Sequence, residues 1–251
     1  CAEKALAENI FKIREDAKWS KPLSGEDAAA GAMTVIDCDT AEVLAICSYP
    51  TYNLETFRED LPGLLIDETS PMYNRALSGL YAPGSTFKVL TMAAALDCGA
   101  IDLETNFYCR GAEQIPGRSQ LLHCWRSQGH GAEKTPQALQ NSCNLAFAHI
   151  ALKLGGEKFY EYIEKFGILE KTGIDLSGES KGIFFDKSLV TDTDKWGTAS
   201  LTSGSFGQTF KLTPLQLVRG IAAVVNGGKL MQPYIVDRVI DPDGNIVSET
   251  E

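Results

Sequence analysis

The octapeptide Tyr81-Ala-Pro-Gly-Ser-Thr-Phe-Lys88 is the stretch from which both the fold and the chemistry can be worked out. Pro83-Gly84 is a turn signal, and the apolar sequence after it predicts a helix that ends near Gly99. Ser85 and Lys88 are three residues apart, so on this helix they share one face and lie within side-chain reach of each other. The sequence therefore predicts a loop that enters a buried helix at a serine–lysine pair.

This pair has the chemistry of an activated nucleophile. A serine hydroxyl attacks poorly until a neighbouring base takes its proton, and a lysine can be that base only if its pKa falls. Burial in an apolar helix would lower the pKa, and the backbone N–H groups at the helix N-terminus could hold an oxyanion. The spacing alone is not specific, since chance would produce one such pair in this composition. An N-capping serine beside a solvated lysine is the alternative.

Outward from this helix, the periodicity predicts further elements. The predicted helices lie at residues 2–18, 85–97, 135–141, 144–154, 157–166 and 213–225. Predicted hairpins join residues 33–37 to 43–47 and residues 234–240 to 245–247. We expect a chain break at Lys21-Pro22 and Ser24-Gly25, a long surface excursion over residues 50–82, and irregular structure over residues 100–133 and 167–205.

The order of these elements favours an α+β fold, a sheet with packed helices. We interpret residues 1–251 as one partial domain. A mostly helical subdomain covers about residues 100–210, and residues 30–50 and 229–248 supply sheet strands.

Composition excludes some functions. The 251 residues carry 23 basic and 33 acidic side chains and a formal net charge of −10, which argues against binding nucleic acid. No apolar run approaches the roughly 18 residues of a membrane span.

The metal-ligating residue types show no recognised pattern. Seven cysteines form no CxxC pair and have no zinc spacing, and the histidines (His123, His130 and His149) share no ligand spacing. We therefore predict no metal and no organic cofactor, with buried, reduced thiols as the default reading.

A second polar pattern is Ser142-Cys143-Asn144. A hydroxyl that relays a proton, beside an amide that holds Lys88 or a substrate carbonyl, would complete an acyl-transfer site. A polar turn between two helices is the alternative, because these residue types favour turns.

Five ordered stretches together carry a family resemblance. They are residues 81–88, Ser142-Cys-Asn144, Cys124-Trp125 with Gly129-His-Gly131, Thr172-Gly-Ile-Asp-Leu-Ser-Gly-Glu179, and Phe206-Gly-Gln208 with Thr213-Pro-Leu-Gln216. In this order they resemble class B penicillin-binding proteins, the D,D-transpeptidases that cross-link peptidoglycan, of the division or sporulation type. The resemblance implies their serine β-lactamase-like α+β fold.

The resemblance also implies roles. Ser85 would attack the carbonyl between the two terminal D-alanines of a stem peptide, and Lys88 would accept its proton. Ser142 would pass that proton to the departing D-alanine, and Asn144 would bind Lys88 or the acyl amide. Trp125 and Gln208 are candidates for contact with substrate, Trp125 as a buried anchor and Gln208 at the cleft or in a tight turn.

The family further implies partners, a location and a thiol pair. We expect peptidoglycan stem peptides, β-lactam antibiotics and wall-synthesis (glycosyltransferase) partner proteins. We also expect a place at the extracytoplasmic face of the bacterial membrane, anchored by an N-terminal helix not present in this chain. In that oxidising location, Cys124 is a plausible disulfide partner of Cys143, with Cys109 second.

One departure concerns the third motif of the family, Lys-Thr-Gly on an edge strand. Lys171-Thr172-Gly173 is not accepted as this motif, because it follows a helix end and leads into a connecting segment. We therefore interpret the fold as C-terminally incomplete and predict weak or absent acylation by this chain alone. A β-lactamase or β-lactam sensor on the same scaffold, and an inactive wall-assembly scaffold, stay open as alternatives.

Overall fold

The computed structural model describes residues 1–18, 28–192 and 197–250, and the predicted break at Lys21-Pro22 and Ser24-Gly25 lies outside them. The helices are α1 (Ala2–Ala17), α2 (Phe57–Ile66), α3 (Lys88–Asp97), α4 (Thr135–Gln140), α5 (Asn144–Leu154), α6 (Gly156–Lys165), α7 (Ser188–Thr191), α8 (Gly197–Gly204) and α9 (Pro214–Val225). The strands are β1 (Gly31–Ile36), β2 (Val43–Tyr49), β3 (Asn106–Cys109), β4 (Ala112–Glu113), β5 (Leu122–His123), β6 (Gly131–Lys134), β7 (Arg238–Ile240) and β8 (Ile246–Glu249).

The predicted hairpin near the N-terminus is confirmed. Strands β1 and β2 pair antiparallel, with Gly31 opposite Tyr49 and Val35 opposite Ala45. Helix α1 contacts both strands, and α9 contacts β1. The apolar spacing of α1 explains its packing, because Leu6 and Ile10 are the residues it buries against the hairpin.

The centre of the molecule is helical. Helix α5 is apolar nearly all round and is the element against which α3 and α8 pack. Its side chains Phe147 and Ile150 have no exposed surface. A helix with this composition has to be surrounded by other elements, and it therefore anchors whatever is attached to its first turn.

The sequence predicts irregular structure over residues 100–133. This prediction is wrong, because the segment forms small sheets. Strand β3 pairs with β6, and β4 pairs with β5, all antiparallel. These strands are two to four residues long. Strands this short carry too few alternating residues for a period of two to be detected.

Two further elements differ from the sequence prediction. Helix α2 lies within the predicted surface excursion and buries none of its residues, and it contains Pro62, a residue that disfavours a helix interior. Helix α8 is rich in Gly, Ser and Thr, which are poor helix formers, yet most of it is buried against α5 and α7. Close packing of small residues outweighs their propensity.

No helix in residues 1–18, 28–192 and 197–250 has both the length and the apolar character needed to cross a bilayer.

Candidate active site

The octapeptide 81–88 forms a tight entry into helix α3. Gly84–Phe87 is a 3-10 turn that leads directly into the α-helix at Lys88. Phe87 is fully buried and anchors this turn, whereas Ser85 is exposed. The sequence thus places the candidate nucleophile on the solvent side of a helix start whose other face is fixed in the core.

A second loop presses against this turn. The N–H of Gly84 donates to the carbonyl of Gly207 at 2.9 Å. Gly207 has φ of +77°, and a Cβ on it would lie 2.1 Å from the carbonyl oxygen of Gly84. Only glycine fits there, so the segment 206–208 fixes the backbone just before Ser85.

Lys88 points inward rather than to solvent. Lys88 is only 1% exposed. The Nζ atom donates to the carbonyl oxygen of Ser142 at 2.7 Å, to Ser142 Oγ at 2.9 Å and to Asn144 Oδ1 at 2.8 Å. The rings of Phe147 and Phe206 lie 5.3 and 5.9 Å from Nζ. The amine is therefore enclosed by three acceptors and two aromatic walls.

This enclosure changes the acidity of the amine. Burial lowers the pKa of Lys88 to about 8, and the surrounding Cys124, Cys143 and Glu133 offset only part of that effect. Roughly one amine in ten is then neutral at pH 7, compared with fewer than one in a thousand for a free lysine. Neutral Lys88 has a lone pair and can act as a base.

Ser142 lies on the turn between α4 and α5, and Asn144 follows it at the start of α5. Ser142 has φ of +50°, an uncommon conformation for a residue with a side chain, and it aims both its carbonyl and its hydroxyl at Lys88. Cys143 caps α5 by accepting from the N–H of Ala146. Asn144 is the first residue of the buried helix α5, which fixes its amide.

Trp125 is not the buried anchor that the sequence predicts. It is 66% exposed, and its indole Nε1 donates to the carbonyl of Asn141 at 3.0 Å, one residue before Ser142. Its ring meets His130 edge-on, with 5.4 Å between the ring centroids. The strands β5 and β6 present it on the surface beside the turn, where a large apolar face is open to a ligand.

Gln208 is exposed and follows Gly207 in the loop that touches Gly84. Its N–H donates to the carbonyl of Ser203, which closes a tight turn after α8. The tight turn is therefore present, and contact of the exposed Gln208 side chain with substrate stays a prediction.

The triplet Lys171-Thr172-Gly173 lies in a turn, not on a strand. The carboxylate of Glu179 accepts from the N–H of Thr172 at 2.6 Å and of Gly173 at 3.2 Å. Thr172 and Glu179 are both buried. The triplet is therefore a connecting turn held by Glu179, in agreement with the sequence interpretation.

The cysteines follow the default prediction of buried, reduced thiols only in part, because three of them are buried (Cys109, Cys124 and Cys143) and three are exposed (Cys1, Cys38 and Cys98). Cys124 and Cys143, the predicted disulfide pair, are free and buried. They meet Cys109 and His130, and one ligand-type atom of each residue lies within 4.8 Å of the other three. Sequence spacing missed this cluster because β3, β5, β6 and α5 bring its members together. The resemblance over 124–131 and 142–144 was the only signal that these segments are neighbours.

Buried Glu133 was also missed. Its Oε1 accepts from Asn141 Nδ2 at 2.8 Å, which ties β6 to the turn before Ser142. A lone glutamate on a short strand has no recognisable sequence signature.

Comparison with known proteins agrees with the geometry. The family model for the penicillin binding protein transpeptidase domain matches residues 31–251. The chain is 39% identical over 204 residues to stage V sporulation protein D of Bacillus subtilis, covering 80% of this chain and 29% of that protein. It is 33% identical over 214 residues to peptidoglycan D,D-transpeptidase MrdA of Acinetobacter baumannii, covering 82% of this chain and 32% of that protein.

The fold agrees as well. The D,D-transpeptidase domain of a peptidoglycan glycosyltransferase from Eggerthella lenta superposes with a TM-score of 0.80 at 25% identity, covering 96% of this chain and 58% of that one. The chain spans about a third of the length of the two curated relatives described above. The α+β prediction is confirmed, and so is the resemblance: the chain belongs to the penicillin-binding protein transpeptidase family, as a class B member.

Proposed function

We propose that this chain is the acyl-transfer domain of a peptidoglycan D,D-transpeptidase, with Ser85 as its nucleophile. The single observation that carries the proposal is the buried amine of Lys88, one helical turn from exposed Ser85 and bonded to both Ser142 and Asn144. The names of the two curated relatives, a sporulation protein and a D,D-transpeptidase, support the same class of reaction.

The first half of the reaction forms an acyl-enzyme. Neutral Lys88 takes the proton from Ser85 Oγ as this oxygen bonds to the carbonyl carbon between the two terminal D-alanines. The C–N bond then breaks, and the departing D-alanine nitrogen receives a proton through Ser142 Oγ, which lies 2.9 Å from Lys88 Nζ. An amine of a neighbouring peptidoglycan strand then bonds to the acyl carbon and gives its proton to neutral Lys88. The C–Oγ ester bond breaks, and Lys88 returns a proton to Ser85 Oγ.

Asn144 has two contacts that suit a positioning role. Its Oδ1 accepts from Lys88, and its Nδ2 points to the carbonyl of His123 at 3.4 Å. With the Asn144 amide held in this orientation, Lys88 Nζ faces Ser142. Trp125 and Gln208, both exposed, are proposed to contact the stem peptide on either side of Ser85.

β-Lactams should acylate Ser85 as substrate mimics. The test is incubation with excess benzylpenicillin, followed by proteolysis and mass spectrometry. We expect the adduct on the peptide that contains Ser85. Ser85→Ala should abolish it, whereas Ser188→Ala, an exposed serine at the start of α7, should keep it. An adduct that survives Ser85→Ala would reject the assignment.

The substrate also indicates where the protein works. We propose that the domain acts at the extracytoplasmic face of the bacterial membrane, where stem peptides are found, beside a glycosyltransferase of wall synthesis. The Eggerthella lenta neighbour is named as part of a peptidoglycan glycosyltransferase, which supports that kind of partner. Crosslinking in cells, followed by identification of the captured proteins, tests this, and capture of cytoplasmic enzymes alone would contradict it.

A further inference from the structure

The loop that joins β4 to β5 packs against helix α8. Ile115, near the start of this loop, is fully buried and fixes the loop in the core. Gly117 has φ of +82°, and a Cβ on it would lie 2.7 Å from Thr198 Oγ1 on α8. The loop therefore approaches α8 as closely as a residue without a side chain allows, and Arg118 is the next residue along the chain.

Arg118 directs its guanidinium at one face of α8. The Nη1 atom donates to the carbonyl oxygen of Ala199 at 3.1 Å, to Thr202 Oγ1 at 2.8 Å and to Ser203 Oγ at 2.9 Å. Burial lowers the pKa of Arg118, and no carboxylate in the described part of the chain offsets this effect. An arginine stays charged in proteins, so this cation is held by oxygens of the helix rather than by an ion pair.

The last turn of α8 holds the loop that touches the nucleophile turn. The carbonyl of Ser203 accepts from the N–H of Gln208 at 3.1 Å, and the carbonyl of Gly207 accepts from the N–H of Gly84 at 2.9 Å. Helix α8 is rich in Gly, Ser and Thr, which are poor helix formers. The 206–208 loop therefore depends on a helix end that needs contacts from outside, and the guanidinium supplies three of them.

We propose that Arg118 is a positioning residue of the acyl-transfer site, which holds the last turn of α8 and, through the 206–208 loop, the backbone before Ser85. The inference rests on the proposed function, because it concerns the same nucleophile. The contacts of the guanidinium are to α8 and not to Ser85 or Lys88, so Arg118 acts only through the loop. A displacement of about 1 Å in a reacting group can slow a reaction about 100-fold.

Two substitutions separate the hydrogen bonds of Arg118 from the space that it fills. Arg118→Met keeps an unbranched apolar stem but donates no hydrogen bond. Arg118→Lys brings an ammonium with three N–H donors to the three oxygens that Nη1 now contacts, and should rescue the effect of Arg118→Met. Arg58→Met, at an exposed position on α2, is the matched control.

Hydrogen–deuterium exchange with mass spectrometry measures the contact without catalysis. In Arg118→Met, peptides that cover residues 201–208 and 81–88 should exchange about tenfold faster, because hydrogen bonds to a charged group are lost. Arg118→Lys should restore most of the protection, and Arg58→Met should exchange like the unaltered chain. Equal exchange in Arg118→Met and in the unaltered chain would overturn the proposal.

A second variant keeps this test decisive if Arg118→Met does not fold. Ser203→Ala removes one of the three oxygens from the α8 side and introduces a good helix former. It should also speed exchange over residues 81–88, whereas Ser188→Ala, at an exposed position, should not. Exchange over residues 81–88 that is the same in both serine variants would count against the contact.

The rate of Ser85 labelling by benzylpenicillin measures the consequence for the reaction. Arg118→Met should label about tenfold more slowly at saturating penicillin, and Arg118→Lys close to the unaltered rate. Chemical denaturation confirms that each variant is folded, so partial unfolding does not account for the slower rate. Loss of protection in Arg118→Met with unchanged labelling would overturn the positioning role. An unaltered chain that never labels would reject the proposed function instead, and hydrogen exchange would still decide the contact.

Discussion

The chemistry of the site depends on the protonation of one side chain. Protonated Lys88 donates its three N–H groups to the carbonyl and hydroxyl of Ser142 and to the amide oxygen of Asn144. In this state it has no lone pair and cannot accept a proton. After deprotonation, its lone pair can receive the hydroxyl proton of Ser142 instead. The pair can therefore move a proton in either direction without moving a heavy atom.

Lys88 should titrate far below a free lysine. We expect a midpoint of about 8, because burial disfavours the ammonium, and Ser85 should be acylated faster as pH rises through this midpoint. Below the midpoint the rate should fall about tenfold per pH unit. NMR of ¹³C-labelled lysine side chains measures the midpoint, with Lys88→Met to assign the signal. A midpoint above about 10 would show that the amine is solvated.

A carboxylate in place of the Asn144 amide should reverse this effect. Asn144→Asp puts a negative charge where Oδ1 now lies, 2.8 Å from Lys88 Nζ, and should raise the midpoint of Lys88 by about 1–3 pH units. Acylation of Ser85 at pH 7 should slow accordingly and recover at higher pH. Asn53→Asp, at an exposed position before α2, is the control and should leave the midpoint unchanged. Equal midpoints in the unaltered chain and in Asn144→Asp would disprove the contact.

At this scale the sequence identifies the residues of the proposed site but not their surroundings. Ser85 and Lys88 are recognisable because their spacing is local, and Ser142 and Asn144 because the family motif is short. Burial of Glu133, exposure of Trp125 and the meeting of the thiols depend on how distant segments pack. No local pattern encodes such packing, so these features were missed or predicted wrongly.

Among the helices and strands, those with a strong local sequence signal could be predicted, and those without one could not. Helix α9 begins at a capping box in which Thr213 and Gln216 bond reciprocally, and its start was predicted from Thr213-Pro214. Helix α8 has no apolar stripe in its sequence and forms because it is packed against α5 and α7. The β3–β6 and β4–β5 pairs are defined by partners outside their own sequence and were missed for that reason.

The contact between the 206–208 loop and the start of α3 can be tested by one methyl group. Gly207→Ala would place Cβ against the carbonyl of Gly84, so the turn before Ser85 must move. We expect a lower free energy of unfolding and slower acylation of Ser85. Gly99→Ala is the matched control, since Gly99 also has positive φ but open space around it. It should cost about 1–2 kcal/mol and leave acylation unchanged.

Chemical denaturation and the rate of penicillin labelling measure both effects. If Gly207→Ala labels as fast as Gly99→Ala, the loop does not position the nucleophile.

For the whole molecule, the site is an assembly of distant segments around one buried helix. Ser85 and Lys88 come with α3, Ser142 and Asn144 with the start of α5, and Gly207 with the loop after α8. Helix α5 contacts both α3 and α8, so the core itself sets the distances between the reacting groups. The α+β class and the order of motifs could be predicted from the sequence, whereas this convergence required the tertiary structure.

The same arrangement decides between a transpeptidase and a β-lactamase. A hydrolase needs a base that activates water against the acyl-serine. Glu161 on α6 is a poor candidate, because hydrogen bonds from Lys158 and Lys165 lower its pKa to about 2. Glu133 is buried, and one of its oxygens is already bound to Asn141. We therefore expect the penicilloyl ester on Ser85 to persist for hours once free penicillin is removed.

Mass spectrometry of the intact chain at successive times measures this lifetime. Glu161→Gln should leave it unchanged, because a carboxylate held by two lysines does not act on water, and Glu164→Gln on the same helix is the matched control. Loss of the adduct within minutes would favour the hydrolase. A longer lifetime in Glu161→Gln alone would identify that carboxylate as the base. Persistence in all three chains means that water does not release Ser85 on this timescale, which is the property that a cross-linking enzyme requires.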